Sequence, residues 1–167
     1  MRYDSPSVSY FRSFVFGVED SLVSTVGLLS GVAIAGVPRS TILLIGIVLI
    51  FVESFSMAAG SFLSEESAEE LAHHVEAPVR RPAIAGAVMF GSYFLAGFIP
   101  LFPYVFLPAA ALPWSIGASL AALFALGAVG AKISRIPLVK SGFRMLVIGG
   151  VTILIGVAVG TMFPRSI

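Results

Sequence analysis

The stretch ILLIGIVLIFVESFSMAAGSFL, residues 42–63, is long and apolar enough to cross a membrane, yet it carries an acid, Glu53. A helix rises 1.5 Å per residue, so about 20 apolar residues span a hydrocarbon core of ~30 Å. A charge at the bilayer centre costs on the order of 2.5–3.5 kcal/mol even on the mildest scale. The preceding stretch, FVFGVEDSLVSTVGLLSGVAIAG at 14–36, repeats the anomaly with Glu19 and Asp20. Acids retained in such segments usually serve an ion or proton path.

Working outward, the 167 residues are 57% hydrophobic and 11% charged, with a mean hydropathy of +1.01, outside the range of soluble domains. The pattern predicts five transmembrane helices at 14–37, 41–63, 83–107, 113–134 and 141–163. Together they make one all-α integral membrane domain over residues 1–167. With no small-residue cleavage site after it, the first helix reads as retained.

The absence of Cys excludes disulfides and thiolate metal sites, and there is no Asn or Gln. Polar chemistry within the membrane is left to carboxylates, hydroxyls, Met, Tyr and backbone. The only two His are adjacent, and no nucleophile–base pair is visible, so no enzymatic activity is expected. No cofactor and no nucleic-acid partner are expected either.

With five spans, one set of helix ends carries Arg2, Arg12, Arg80, Arg81, Lys132, Arg135, Lys140 and Arg144, against Arg39 and Arg165 on the other. The positive-inside rule then sets the N-terminus in the cytoplasm and the C-terminus outside or in a lumen. The membrane is the plasma (inner) membrane in a prokaryote, and a vacuolar or other organelle membrane in a eukaryote.

The one long hydrophilic stretch is SEESAEELAHHVEAPVRRP, 64–82. Its helix formers should extend the second helix into the cytoplasm as a short stub ending by Pro78. Pro100 and Pro103 should kink or unwind the outer end of the third helix. No acid follows Glu76, which confines carboxylate chemistry to the first half of the chain.

On a helical wheel Asp20, Ser24, Gly27 and Gly31 share a narrow face, with Glu19 on its flank and Arg12 two turns away as a possible partner for it. Gly46, Glu53, Met57, Gly60 and Ser64 form the matching stripe of the second helix. Counting from the cytoplasmic ends, Asp20 and Met57 lie ~9 Å deep and Glu53 ~15 Å deep. Asp20, Glu53 and Met57, with Glu19 at the edge, are the candidate metal ligands. Carboxylate oxygens plus a thioether suit a borderline divalent ion such as Fe²⁺, Mn²⁺, Co²⁺ or Zn²⁺ better than Mg²⁺ or Ca²⁺. Binding metal requires such acids to shed protons, which couples the two ions.

The glycines should let the first two helices approach closely. Three side-chain ligands per chain leave a divalent ion under-coordinated unless water or a second subunit contributes; a C2 homodimer is expected, with its axis beside the Gly27 and Gly31 face. Helices four and five should face lipid or brace the outside. In the stub, Glu66, Glu70 and His73 share a face, and Glu70-Leu71-Ala72-His73 has the E-x-x-H spacing of di-iron bundles. Met57 alone also reads as packing, and the stub residues also read as a solvated helix end.

At these residues the chain resembles the vacuolar iron transporter family. That family carries a pattern like F-G-x-x-D-G-L in its first helix, here Phe16-Gly17-Val18-Glu19-Asp20-Ser21-Leu22. Its second-helix pattern, D-A-x-S-M-A-x-G-E-Y-L-S, reads here from Glu53-Ser54-Phe55-Ser56-Met57 through Gly60-Ser61-Phe62-Leu63-Ser64. GFIPLFPYVF and SGFRMLVIGG are similar to its third and fifth helices. The resemblance implies a homodimer of five-helix subunits moving Fe²⁺, often also Mn²⁺, out of the cytoplasm against protons. It maps the family's first-helix aspartate to Asp20, its second-helix acid to Glu53 and its methionine to Met57.

Ser21 and Ser61 depart from the family's Gly and Glu, and the large glutamate-rich cytoplasmic domain of many relatives is reduced to the stub, as in nodulin-like members. Two alternatives stay open: a manganese-selective carrier, and a non-transporting membrane scaffold or metal sensor that keeps the fold. The lost acid at Ser61 favours the latter.

Overall fold

In the computed structural model, which describes residues 6–107 and 110–163, apolar sequence has become five helices. They are α1 (Pro6–Ile34), α2 (Arg39–His73), α3 (Arg80–Phe106), α4 (Ala111–Ser134) and α5 (Leu138–Met162). Each is long and apolar enough to cross a membrane. Arg2 and Arg165 of the charge pattern lie outside the described residues.

The surface is apolar where a soluble protein would be polar. Phe55, Leu95, Val139 and Leu154 are each about seven-tenths exposed, which fits a lipid solvent. The interior is correspondingly slim, with Leu22, Val26, Leu29, Ile50, Tyr93 and Leu123 fully buried.

Side-chain contacts fix the up–down order. Glu65 near the end of α2 meets Ser9 of α1 and Arg81 of α3. At the opposite end Arg39 of α2 donates to the carbonyls of Tyr104 and Val105 on α3. The start of α1, the end of α2 and the start of α3 thus share one end of the bundle. The end of α4 and the start of α5 are there too, and Arg12, Arg80, Arg81, Lys132, Arg135, Lys140 and Arg144 make it the basic end.

Boundaries moved where caps and tertiary contacts outweighed hydropathy. α1 starts eight residues before the expected Phe14, with Ser9 and Ser13 buried on its first turns. α2 runs without a break through the stub to His73, and His74 closes it in a left-handed turn. Pro100 and Pro103 do not unwind α3, which stays helical to Phe106. Side chains of two neighbours brace this end: Ser115 Oγ of α4 donates to Pro100 O at 2.7 Å, and Arg39 donates to the last-turn carbonyls of Tyr104 and Val105.

The glycine stripe of α1 serves a different partner from the one expected. A Cβ on Gly31 would come within 2.6 Å of the Gly156 carbonyl, and one on Gly156 or Gly160 would collide with the carbonyls of Gly27 and Gly31. Gly27 and Gly31 therefore close a backbone-to-backbone seam with α5 inside the subunit. They bind α1 to α5 rather than to α2, beneath a groove that Gly27 and Gly31 themselves line. α5 is thus bound to the helix that bears the acids, and α4 touches α1 as well. On α2, Gly46 faces Leu101 of α3, while Gly60 opens on empty space.

Candidate metal centre

Two polar contacts set the α1–α2 register. Ser9 Oγ donates to Glu65 Oε2 at 2.6 Å, and one turn deeper Ser13 Oγ lies 3.3 Å from Ser61 Oγ. Continued by the same antiparallel step, Gly17 falls opposite Met57 and Ser21 opposite Glu53. Asp20 and Glu53 are indeed close enough to feel each other's charge. Both are half-buried, as are Glu19 and Met57.

A third helix enters the site. Tyr93 of α3 is fully buried, and its hydroxyl lies within charge range of both Asp20 and Glu53. It shares a 2.8 Å hydrogen bond with Ser24 Oγ, one turn beyond Asp20. Ser21 Oγ donates to the Tyr93 carbonyl at 2.6 Å. The hydroxyl at position 21 therefore binds α1 to α3 at the height of the acids. Met89, also on α3, is buried, and a Cβ on Gly17 would come within 3.1 Å of its Sδ. A second thioether thus sits at the level of Met57.

Tyr93 and Met89 were absent from the sequence reading. Both lie in a span that carries no acid, so nothing in the local pattern marks them.

Two apolar grooves flank α1 beyond the acids. One of about 420 Å³ runs between α1 and α2 from Glu53 toward Leu44, with Val48 and Leu28 on its walls. The other, about 630 Å³, lies over the glycine seam between α1 and α5 and reaches Ser24. Leu28 lines both, so Asp20, Ser24 and Leu28, four residues apart, form the ridge between them.

At the basic end the stub residues part company. Glu66 is half-buried, while Glu70 and His73 are exposed. His73 lines a cavity of about 550 Å³ among α1, α2 and α3, together with Arg12, Glu65, Glu69 and Arg81. Arg12 reaches Glu65 at 3.4 Å, across to α2, rather than Glu19 on its own helix. Glu65 was not among the expected residues, although its spacing to Glu69, just before Arg80-Arg81 turns the chain back, could have marked it. Among the described residues no three His, Asp or Glu converge on a point that could hold a metal ion.

Five membrane-length helices, two of them carrying acids within their spans, define an integral membrane protein. The model of the VIT family matches residues 11–80 and 68–161. The chain belongs to the VIT family, and with it to the membrane transporters of metal ions. No curated protein is similar enough to the chain to be matched to it.

Proposed function

We propose that this protein carries Fe²⁺, and also Mn²⁺, out of the cytoplasm in exchange for protons. The observation that carries the reading is that acids of two membrane-spanning helices, Asp20 of α1 and Glu53 of α2, lie within range of each other's charge. Two ionised acids in range of each other repel unless a cation or a proton joins them. Met57, one turn from Glu53, offers the softer ligand that borderline metals accept. Because carboxylates bind metal only after losing protons, loading metal on one side and protons on the other yields exchange. The basic end is then cytoplasmic. Asp20, Glu53 and Met57 are the transport ligands, with Glu19 beside them. Glu66, Glu70 and His73 are at most a gathering surface at the entrance.

The ligand set of one subunit is short, which favours a homodimer. The surface open to a second copy is the ridge of Asp20, Ser24 and Leu28 with a groove on either side, one of them over the α1–α5 glycine seam. Two copies meeting there would supply up to four carboxylates and two thioethers on a shared axis.

The test is Fe²⁺ and Mn²⁺ uptake into proteoliposomes under an imposed pH gradient. Metal uptake matched by proton counterflow is expected. A folded protein that moves neither ion would overturn the reading in favour of a metal sensor or scaffold, for which Ser61 in place of the family's acid is the supporting feature. Flux of Mn²⁺ alone would make it a manganese carrier.

A further inference from the structure

The two halves of the α1–α2 seam are built differently. Beyond Glu53, away from the basic end, α1 and α2 stand apart and leave the 420 Å³ apolar groove. Toward the basic end polar contacts join them: Ser13 with Ser61, then Ser9 and Arg12 with Glu65. The seam thus stands apart on one side of the site and is joined on the other.

Glu65 is the centre of that closure. It is 5% exposed, yet it lies on a part of α2 that continues into water. One carboxylate oxygen takes Ser9 at 2.6 Å and Arg12 at 3.4 Å, both on α1. The other is 3.0 Å from Arg81 Nε on α3, and Arg81 Nη1 reaches Glu69 at 2.9 Å. One acid thereby ties three helices at the mouth of the seam. Its surroundings suit a bond that opens. The 550 Å³ cavity brings solvent to the cluster, and the Arg12 side chain is two-thirds exposed. Ion pairs and hydroxyl contacts beside water can be exchanged for hydration, whereas an apolar seam must be pulled apart against the hydrophobic effect. Rearranged interface salt bridges are a common means of switching between two packings.

We propose that Glu65, with Ser9, Arg12 and Arg81, is the latch of a gate at the basic end, and that the structure holds this gate shut. Opening releases Glu65 from α1, parts Ser13 from Ser61 and exposes the path down to Met57, Asp20 and Glu53. This rests on the transport reading, in which the site must face each side in turn.

The gate is tested in this Cys-free chain with thiols at the seam. In Ser13→Cys, reconstituted in liposomes, a membrane-impermeant maleimide applied at the basic end should react slowly. Adding Glu65→Gln should raise that rate by at least roughly tenfold, because Arg12 and Arg81 lose the buried acid that pairs them. An unchanged rate in the folded double variant overturns the latch, whether or not the protein transports. In Ser13→Cys/Ser61→Cys, oxidation should stop metal flux and reduction should restore it. Full flux through a completely crosslinked protein would also overturn the gate. If the unmodified protein moves no metal, the transport reading fails on its own, and the labelling rates still decide whether Glu65 holds the seam closed.

Discussion

The hydroxyls of Tyr93 and Ser24 meet at 2.8 Å, joining α3 to α1 one turn beyond Asp20. The bond fixes a phenolic hydroxyl within charge range of the acids of two other helices. Tyr93→Phe keeps the ring and its packing but leaves Ser24 without this partner. It should cost about 1 kcal/mol of stability, the usual net worth of such a bond. It should also slow metal flux. Thermal unfolding in detergent and liposome flux measure the two effects separately. Full flux with a lowered unfolding temperature would restrict Tyr93 to a structural role.

Removing either central acid should be far more severe. Asp20→Ala and Glu53→Ala should each reduce metal flux by roughly tenfold or more, equivalent to at least 1.4 kcal/mol. Glu53→Gln should be nearly as damaging, since the amide is close in size but carries no charge and no exchangeable acid proton. Met57→Leu should retain flux and change the Fe²⁺ to Mn²⁺ preference. Flux ratios for the two ions, measured in one preparation, check both statements.

The metal affinity should rise with pH. The ligand carboxylates bind metal as anions, so protons compete, and each fall in pH shifts the equilibrium toward the protonated, empty site. Metal binding followed by calorimetry from about pH 5 to 8 should tighten steadily, with protons released on binding. A flat profile without proton release would uncouple the two ions.

Gly156 has no room for a side chain, because its Cβ would collide with the Gly27 carbonyl. Backbone cannot move aside as a flexible side chain can. Gly156→Ala should therefore lower stability by about 1–3 kcal/mol, the range for overpacking. Gly60→Ala, which opens on empty space, is the control and should be close to neutral. Thermal unfolding of the pair reads the difference.

A subunit interface on the α1 ridge makes a simple crosslinking contrast. Leu28→Cys should crosslink between subunits under mild oxidation. Gly31→Cys should not, because its side chain would point into α5 of the same subunit. The reverse result, seen on a non-reducing gel, would return the axis to the glycine face.

Much of this protein is determined by its sequence alone. Twenty-residue apolar runs leave a helix as the way to satisfy the backbone in lipid, so five spans follow from hydropathy. Asp20 and Glu53 stood out because an acid in an apolar run is expensive, and their depths follow from counting residues along a helix. Which faces meet was a tertiary decision. Wheel positions show that Gly27 and Gly31 are aligned, but only α5, bringing Gly156 and Gly160 from more than a hundred residues away, makes them a seam. In the same way Arg12 had an acid on its own helix and found Glu65 on another. Tyr93 and Met89 became part of the site because α3 packs against both acid-bearing helices. Periodicity gives the face of each helix. Only the packing of all five, each filling space the others leave, chooses the partner.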